Sequence, residues 1–163
     1  MKRKRRPAPP GDFEDPLSNY SAPAFADEME RALCEDTVQQ IQTTPFTSVP
    51  EDTSIQSAIR TMVDLDIACL MITKDSRLVG ILTERDVLEK VADDYAQHRQ
   101  EPVGTFMTPS PVVCHDTDSP AQALNHMSVG GFRHIPVLDV DEKIVGILGP
   151  RRVTRYLRAQ FER

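Results

Sequence analysis

No apolar run in this sequence approaches the roughly 20 residues that a membrane span requires, because charged side chains interrupt every candidate. A secretory leader is not expected either, since Pro and Gly follow the basic start where an apolar segment would be needed. Cysteine is scarce: Cys34, Cys69 and Cys114 are widely spaced and form no C-x-x-C pair, which argues against a zinc knuckle or a disulfide framework. Cys69 and Cys114 sit in apolar runs and are expected to be buried small hydrophobes. A reducing, cytoplasmic compartment fits that usage. No P-loop and no Gly-x-Gly-x-x-Gly occurs. His98, His115 and His126 have no paired helical spacing with His134 or with nearby acids, so no metal site is expected. Acids and histidines are present, yet no nucleophile, base and orienter fall into one set. The sequence makes no case for an enzyme.

What is present is an ordinary globular balance, with 39% hydrophobic and 27% charged residues in 163. That length suits one domain or two small, tightly joined ones. The charge is uneven. Residues 1–6 hold five of the 19 basic residues and no acid, so 14 basic residues remain against 25 acidic ones, a net −11 where the whole chain carries −6. An acidic body suits a phosphate backbone poorly. Nucleic-acid binding would rest on the basic arm alone, and a short Lys/Arg run is little more specific than a charged tail. Residues 1–23, rich in Pro, Ser, Asp and Gly, are expected to be a disordered arm. Phe25, Met29, Ala32 and Leu33 then share one helical face, which predicts a short amphipathic helix over residues 24–35, ending at the 36/37 boundary.

The strongest feature is an internal repeat, residues 38–88 over residues 103–154. Val38, Ile41 and Thr43 fall on Val103, Phe106 and Thr108, and Ala58, Ile59 and Met62 fall on Ala123, Leu124 and Met127. After one single-residue gap, Leu78-Val79-Gly80-Ile81-Leu82 falls on Ile144-Val145-Gly146-Ile147-Leu148. Each copy reads as β-α-β-β-α. Ser54 is a candidate N-cap for a helix whose Ile55, Ala58, Ile59, Met62 and Val63 form an apolar stripe. Ser119-Pro120 offers an N-cap and a Pro at the first helical position. Apolar stretches at 67–73 and 77–82, and at 133–138 and 143–148, predict two hairpins, turning at Lys74-Asp75-Ser76 and at Asp139 to Glu142. A last helix begins near Thr83 in one copy and near Pro150 in the other. The strands are nearly continuously apolar, as strands covered on both faces are. The fold class is therefore α/β (α+β), two repeats packed sheet to sheet with helices outside, divided at 37–100 and 101–163.

This arrangement resembles the cystathionine β-synthase-type (CBS) domain pair, or Bateman module, over about residues 37–160. The residues that carry the resemblance are Pro111-Val112-Val113, Phe132-Arg133-His134-Ile135-Pro136-Val137, and Gly80-Ile81-Leu82-Thr83-Glu84-Arg85-Asp86. It implies two related clefts, each able to take an adenosine derivative. In the first, Asp86 would bind the ribose hydroxyls and Thr83 would help hold ribose or phosphate. Val112 and Val113 would enclose the base, Arg133, His134 and Arg151 would meet phosphate, and Ile81 would belong to the same ligand-binding set. Those types suit the chemistry: a carboxylate accepts two bonds from a diol, and Arg forks onto phosphate oxygens. In the other cleft Gly149 stands in the place of Thr83, Arg152 in that of Asp86, and Ala68 and Cys69 in those of Arg133 and His134. One working site per chain is expected.

The implied function is a stand-alone regulatory protein that needs no cofactor. It would bind an AMP-like adenine nucleotide, with ATP, ADP, S-adenosylmethionine or NAD as alternatives, and signal to a separate effector protein. The resemblance also implies a homodimer through the CBS helices. A competing reading is a structural or interaction module with a vestigial pocket. On that reading Thr83 and Asp86 are a helix-capping pair, His134 is a satisfied strand residue, and Arg152 decorates a solvated helix.

Overall fold

The computed structural model describes Ser21 and residues 24–162. Apart from Ser21, the arm expected over residues 1–23 lies outside the described residues. Helix α1 (Glu28–Glu35) is followed by a 3-10 turn (Val38–Gln40), β1 (Ser48–Pro50), α2 (Ile55–Leu65), β2 (Cys69–Lys74), β3 (Arg77–Thr83), α3 (Glu84–Lys90) and the short α4 (Tyr95–His98). The second half repeats the order with a 3-10 turn (Val103–Thr105), β4 (Thr108–Pro109), β5 (Cys114–His115), α5 (Pro120–Gly130), β6 (Ile135–Leu138), β7 (Ile144–Leu148) and α6 (Pro150–Phe161). The fold is the expected pair of β-α-β-β-α units.

Both hairpins turn at the expected places. Asp75 and Ser76 take positive φ (48° and 64°) between β2 and β3, and Glu142 does so (61°) before β7. Ser54 and Ser119 cap α2 and α5 through their hydroxyls, as their positions predict. Two expectations need correction. Helix α1 starts at Glu28 and not at residue 24, because the Asp27 carboxylate caps it by accepting from the Glu30 N–H. Val63 is 72% exposed. It sits a helical step beyond Met62, past the edge of the stripe formed by Ile55, Ala58 and Met62.

The two halves exchange their leading segments. Sheet one runs β1-β2-β3-β4, so Thr108 and Pro109, from the start of the second copy, pair with Ile81 and Gly80 of the first. Reciprocally, the Ile147 N–H donates to the Thr43 carbonyl (3.0 Å) beside the β5-β6-β7 sheet. Packing follows the same exchange. Val103 and Phe106 are buried with Ile55, Leu70 and Leu82, whereas Val38 and Ile41 are buried with Ile135, Val137 and Leu148. Burying such a side chain contributes about 1.5–3 kcal/mol, so each copy's core depends on the other's leading segment. Gly80 and Gly146 make the close crossings possible: a Cβ there would collide with Met107 and with Thr43.

Candidate functional site

A cleft of about 340 Å³ opens where the N-terminus of α3, the segment 108–112 and the approach to β6 meet. Of the residues singled out by sequence, Ile81, Thr83, Asp86, Val112, Arg133 and His134 line it. Val113 and Arg151 are not among the lining residues: Val113 is half-buried, and Arg151 is exposed on the first turn of α6. Thr108, Ser110 and Phe132 also line the cleft and were not anticipated. The repeat alignment pairs Thr108 with Thr43, the two crossing positions, and that was the available signal.

Asp86 is the most constrained group of the site, 6% exposed at the start of α3. One carboxylate oxygen, Oδ2, accepts from the Thr83 N–H (2.9 Å) and the Thr83 hydroxyl (2.6 Å). The other, Oδ1, accepts from Lys90 Nζ (2.7 Å) and the Thr108 hydroxyl (2.9 Å). Lys90 Nζ also donates to the Phe106 carbonyl (2.9 Å), tying α3 to the chain entering the second copy. Burial on its own would raise the Asp86 pKa, but the bonds from Lys90, Thr83 and Thr108 outweigh it and hold the carboxyl below its ordinary value. The Asp86 N–H in turn donates to the Thr83 hydroxyl (3.3 Å), completing a capping box. The capping role is thus real. Since a carboxylate offers about four acceptor sites, these four hydrogen bonds fill Asp86, and any further donor must displace one of them.

Across the cleft, Arg133 is exposed and makes no ion pair or hydrogen bond among the described residues. His134 is half-buried. Burial first, and then the Arg133 charge, push its pKa below the ordinary 6.5, so its ring is neutral at pH 7. Phe132 and Val112 supply apolar wall beside the polar edge of Thr83, Thr108 and Ser110. A flat ring with an anionic tail matches those surfaces.

The mirror-related position is built differently. Gly149 precedes α6 without any side-chain cap. Arg152 is half-buried, and this corrects the expectation of a solvated surface residue: its Nη1 donates to the Ile147 carbonyl (3.1 Å) and its Nη2 to the Pro45 carbonyl. An arginine thus spans the place where the first copy holds Asp86. Ala68, expected in this second cleft, is half-buried and lines the first cleft instead, and Cys69 is buried with its thiol pushed up to about 12 by burial.

The CBS domain family matches residues 38–93 and 103–159, and the chain belongs to it. The chain is 33% identical over 111 residues to the CBS domain-containing protein CBSCBSPB5 of Arabidopsis thaliana, covering 68% of this chain and 20% of that protein. It thus spans about a fifth of that relative's length. An uncharacterised 17.7 kDa protein of Acidianus ambivalens is 31% identical over 121 residues, covering 74% of this chain and 72% of its own length. Among solved structures, CBSX2 in complex with AMP superposes with a TM-score of 0.66 at 30% identity, covering 78% of this chain and 98% of that one.

Among the described residues no helix is long and apolar enough to cross a membrane.

Proposed function

We propose that this chain is a regulatory CBS pair that binds one adenine nucleotide, AMP in preference to ATP, ADP, S-adenosylmethionine or NAD, and catalyses no reaction. The observation that carries the reading is the asymmetry of its two related positions. One sets an unpaired Arg133 across an open cleft from a buried Asp86; the other is spanned by Arg152. The ribose would exchange with Thr108 and Lys90 on Asp86 Oδ1, the base would lie against Ile81, Val112 and Phe132, and phosphate would meet Arg133 and His134. The likeness to CBSX2, a protein described in complex with AMP, supports the same ligand class. Ligand bridging segments from both copies would favour one arrangement of the pair, or of a homodimer, and a separate effector would read the shift.

A second reading, an interaction module, is favoured by the four donors that already satisfy Asp86. Thermal melts with AMP, ADP, ATP, S-adenosylmethionine and NAD separate the two, because a ligand of the folded state raises the midpoint by mass action. A saturable rise with AMP, lost in Arg133→Ala, supports the sensor. No rise with any of the five favours the module.

A further inference from the structure

A second hollow, of about 280 Å³, lies between the 36–42 segment and α6 and shares no lining residue with the cleft described above. Its walls include Gln40, Gln42, Arg152, Arg155, Tyr156 and Gln160. Neither Arg152 nor Arg155 forms an ion pair among the described residues. Arg155 Nη1 donates to the Gln42 side-chain carbonyl (3.0 Å), and Arg152 uses Nη1 and Nη2 on backbone carbonyls. Their other N–H groups are uncommitted. Because the Gln40 and Gln42 carbonyl oxygens accept from the Thr37 N–H and from Arg155, their amide NH₂ groups are left as donors.

Among the described residues the one acid lining the hollow, Asp36, is engaged by the Tyr156 hydroxyl (2.6 Å). Two guanidinium groups line it with that one carboxylate, so the described part of the wall carries an excess positive charge. Burial above all holds the Arg152 pKa below its ordinary value, with the Cys69 thiol opposing the shift and the Arg155 charge adding to it as the smallest of the three causes. The repeat sharpens the contrast: Arg152 and Arg155 stand where the first copy has Asp86 and Glu89.

We propose that this hollow is an anion site for a phosphate group, free or as a small monoester, held by Arg152 and Arg155 with the Gln40 and Gln42 amides. Bidentate guanidinium-to-phosphate bonds are the geometry such a pair offers. Its lining residues differ from those of the nucleotide cleft, and the proposal does not rest on the nucleotide reading.

The test is a titration of uniformly 15N-labelled protein with inorganic phosphate, at ionic strength held constant with chloride, reading the arginine side-chain Nε–Hε signals. A parallel titration with glycerol 3-phosphate compares free with esterified phosphate, and tighter saturation by either names the source. Saturable shifts of Arg152 and Arg155 are expected, and they should persist in Arg133→Gln, which removes the cation of the first cleft. Arg155→Gln, at an exposed position, should weaken saturation about tenfold or more, the equivalent of one charge-assisted hydrogen bond. Gln42→Glu, which sets a carboxylate in the wall, should abolish it. Absence of saturable shifts with both ligands, loss of the shifts in Arg133→Gln, or affinity unchanged in both Arg155→Gln and Gln42→Glu would overturn the proposal.

Discussion

His134 packs against the backbone of Gly149, so closely that a Cβ added there would stand 3.1 Å from the ring's Cδ2. This contact links the two related positions. The imidazole that lines the first cleft occupies room that a Thr at 149, matching Thr83, would need.

Gly149→Thr should therefore act on the cleft more than on the fold. The hydroxyl supplies the missing cap of α6, and Gly and Thr caps differ by only a few tenths of a kcal/mol. The His134 ring must move by a few tenths of an ångström. The expected outcome is a denaturation midpoint near that of the parent, with nucleotide affinity several-fold weaker. Unchanged affinity together with a shifted His134 ring signal would show that the ring does not contact ligand.

The bridge from Lys90 to Asp86 and the Phe106 carbonyl predicts a stability effect independent of any ligand. Lys90→Met should cost about 1–2 kcal/mol, the low end for bonds to charged groups because the Lys90 side chain is 38% exposed. Asp86→Ala should cost more, about 2 kcal/mol or above, since it also removes the partner of the Thr83 N–H. Urea midpoints measure both. A Lys90→Met loss equal to that of Asp86→Ala would mean that Thr83 and Thr108 add nothing.

Acid should weaken the fold in two windows. His134 has a folded pKa below its ordinary 6.5, so the unfolded chain takes up that proton first. Stability then falls as the pH drops from 6.5 through the folded value. Asp86 is held below 3.8, so its contribution is complete above pH 3.8 and is lost as the pH falls through its folded pKa. Denaturant midpoints against pH should lose the upper slope in His134→Gln and the lower one in Asp86→Asn. An upper slope identical in His134→Gln and parent contradicts the assignment.

Thiol chemistry should single out one cysteine. Cys34 is exposed, whereas Cys69 and Cys114 are buried with pKa values pushed up to about 12 by burial. Maleimide labelling of the native protein, read by mass spectrometry, should modify Cys34 alone. Labelling of Cys69 or Cys114 at a similar rate would mean that their sheets open readily.

Much of this architecture was legible in the sequence because duplication checks itself. Gly80 and Gly146 recur at one register, and the same glycine answers the same crossing in both halves. The turns at Asp75-Ser76 and before Lys143 stood out as polar breaks between apolar strands. The start of α1 was less legible, since Phe25 extends the apolar periodicity past the point where the Asp27 cap ends it. The half-buried place of Arg152 is not legible for a different reason: its acceptors are the carbonyls of Pro45 and Ile147, and backbone acceptors leave no trace in residue type. The Lys90 contact could have been read from the i,i+4 spacing to Asp86. The Thr108 hydroxyl reaches Asp86 only through the exchange of leading segments, which no local pattern announces.

The proposed site holds one nucleotide per chain between Asp86 and Arg133, and calorimetric titration with AMP measures that stoichiometry. The expected result is a stoichiometry near one ligand per chain, with binding weakened about tenfold or more in Arg133→Ala through loss of a charge-assisted bond. Because Arg133 is exposed and unpaired, that variant should keep the parent's melting temperature. Absence of heat, two ligands per chain, or undiminished affinity in Arg133→Ala would contradict the claim.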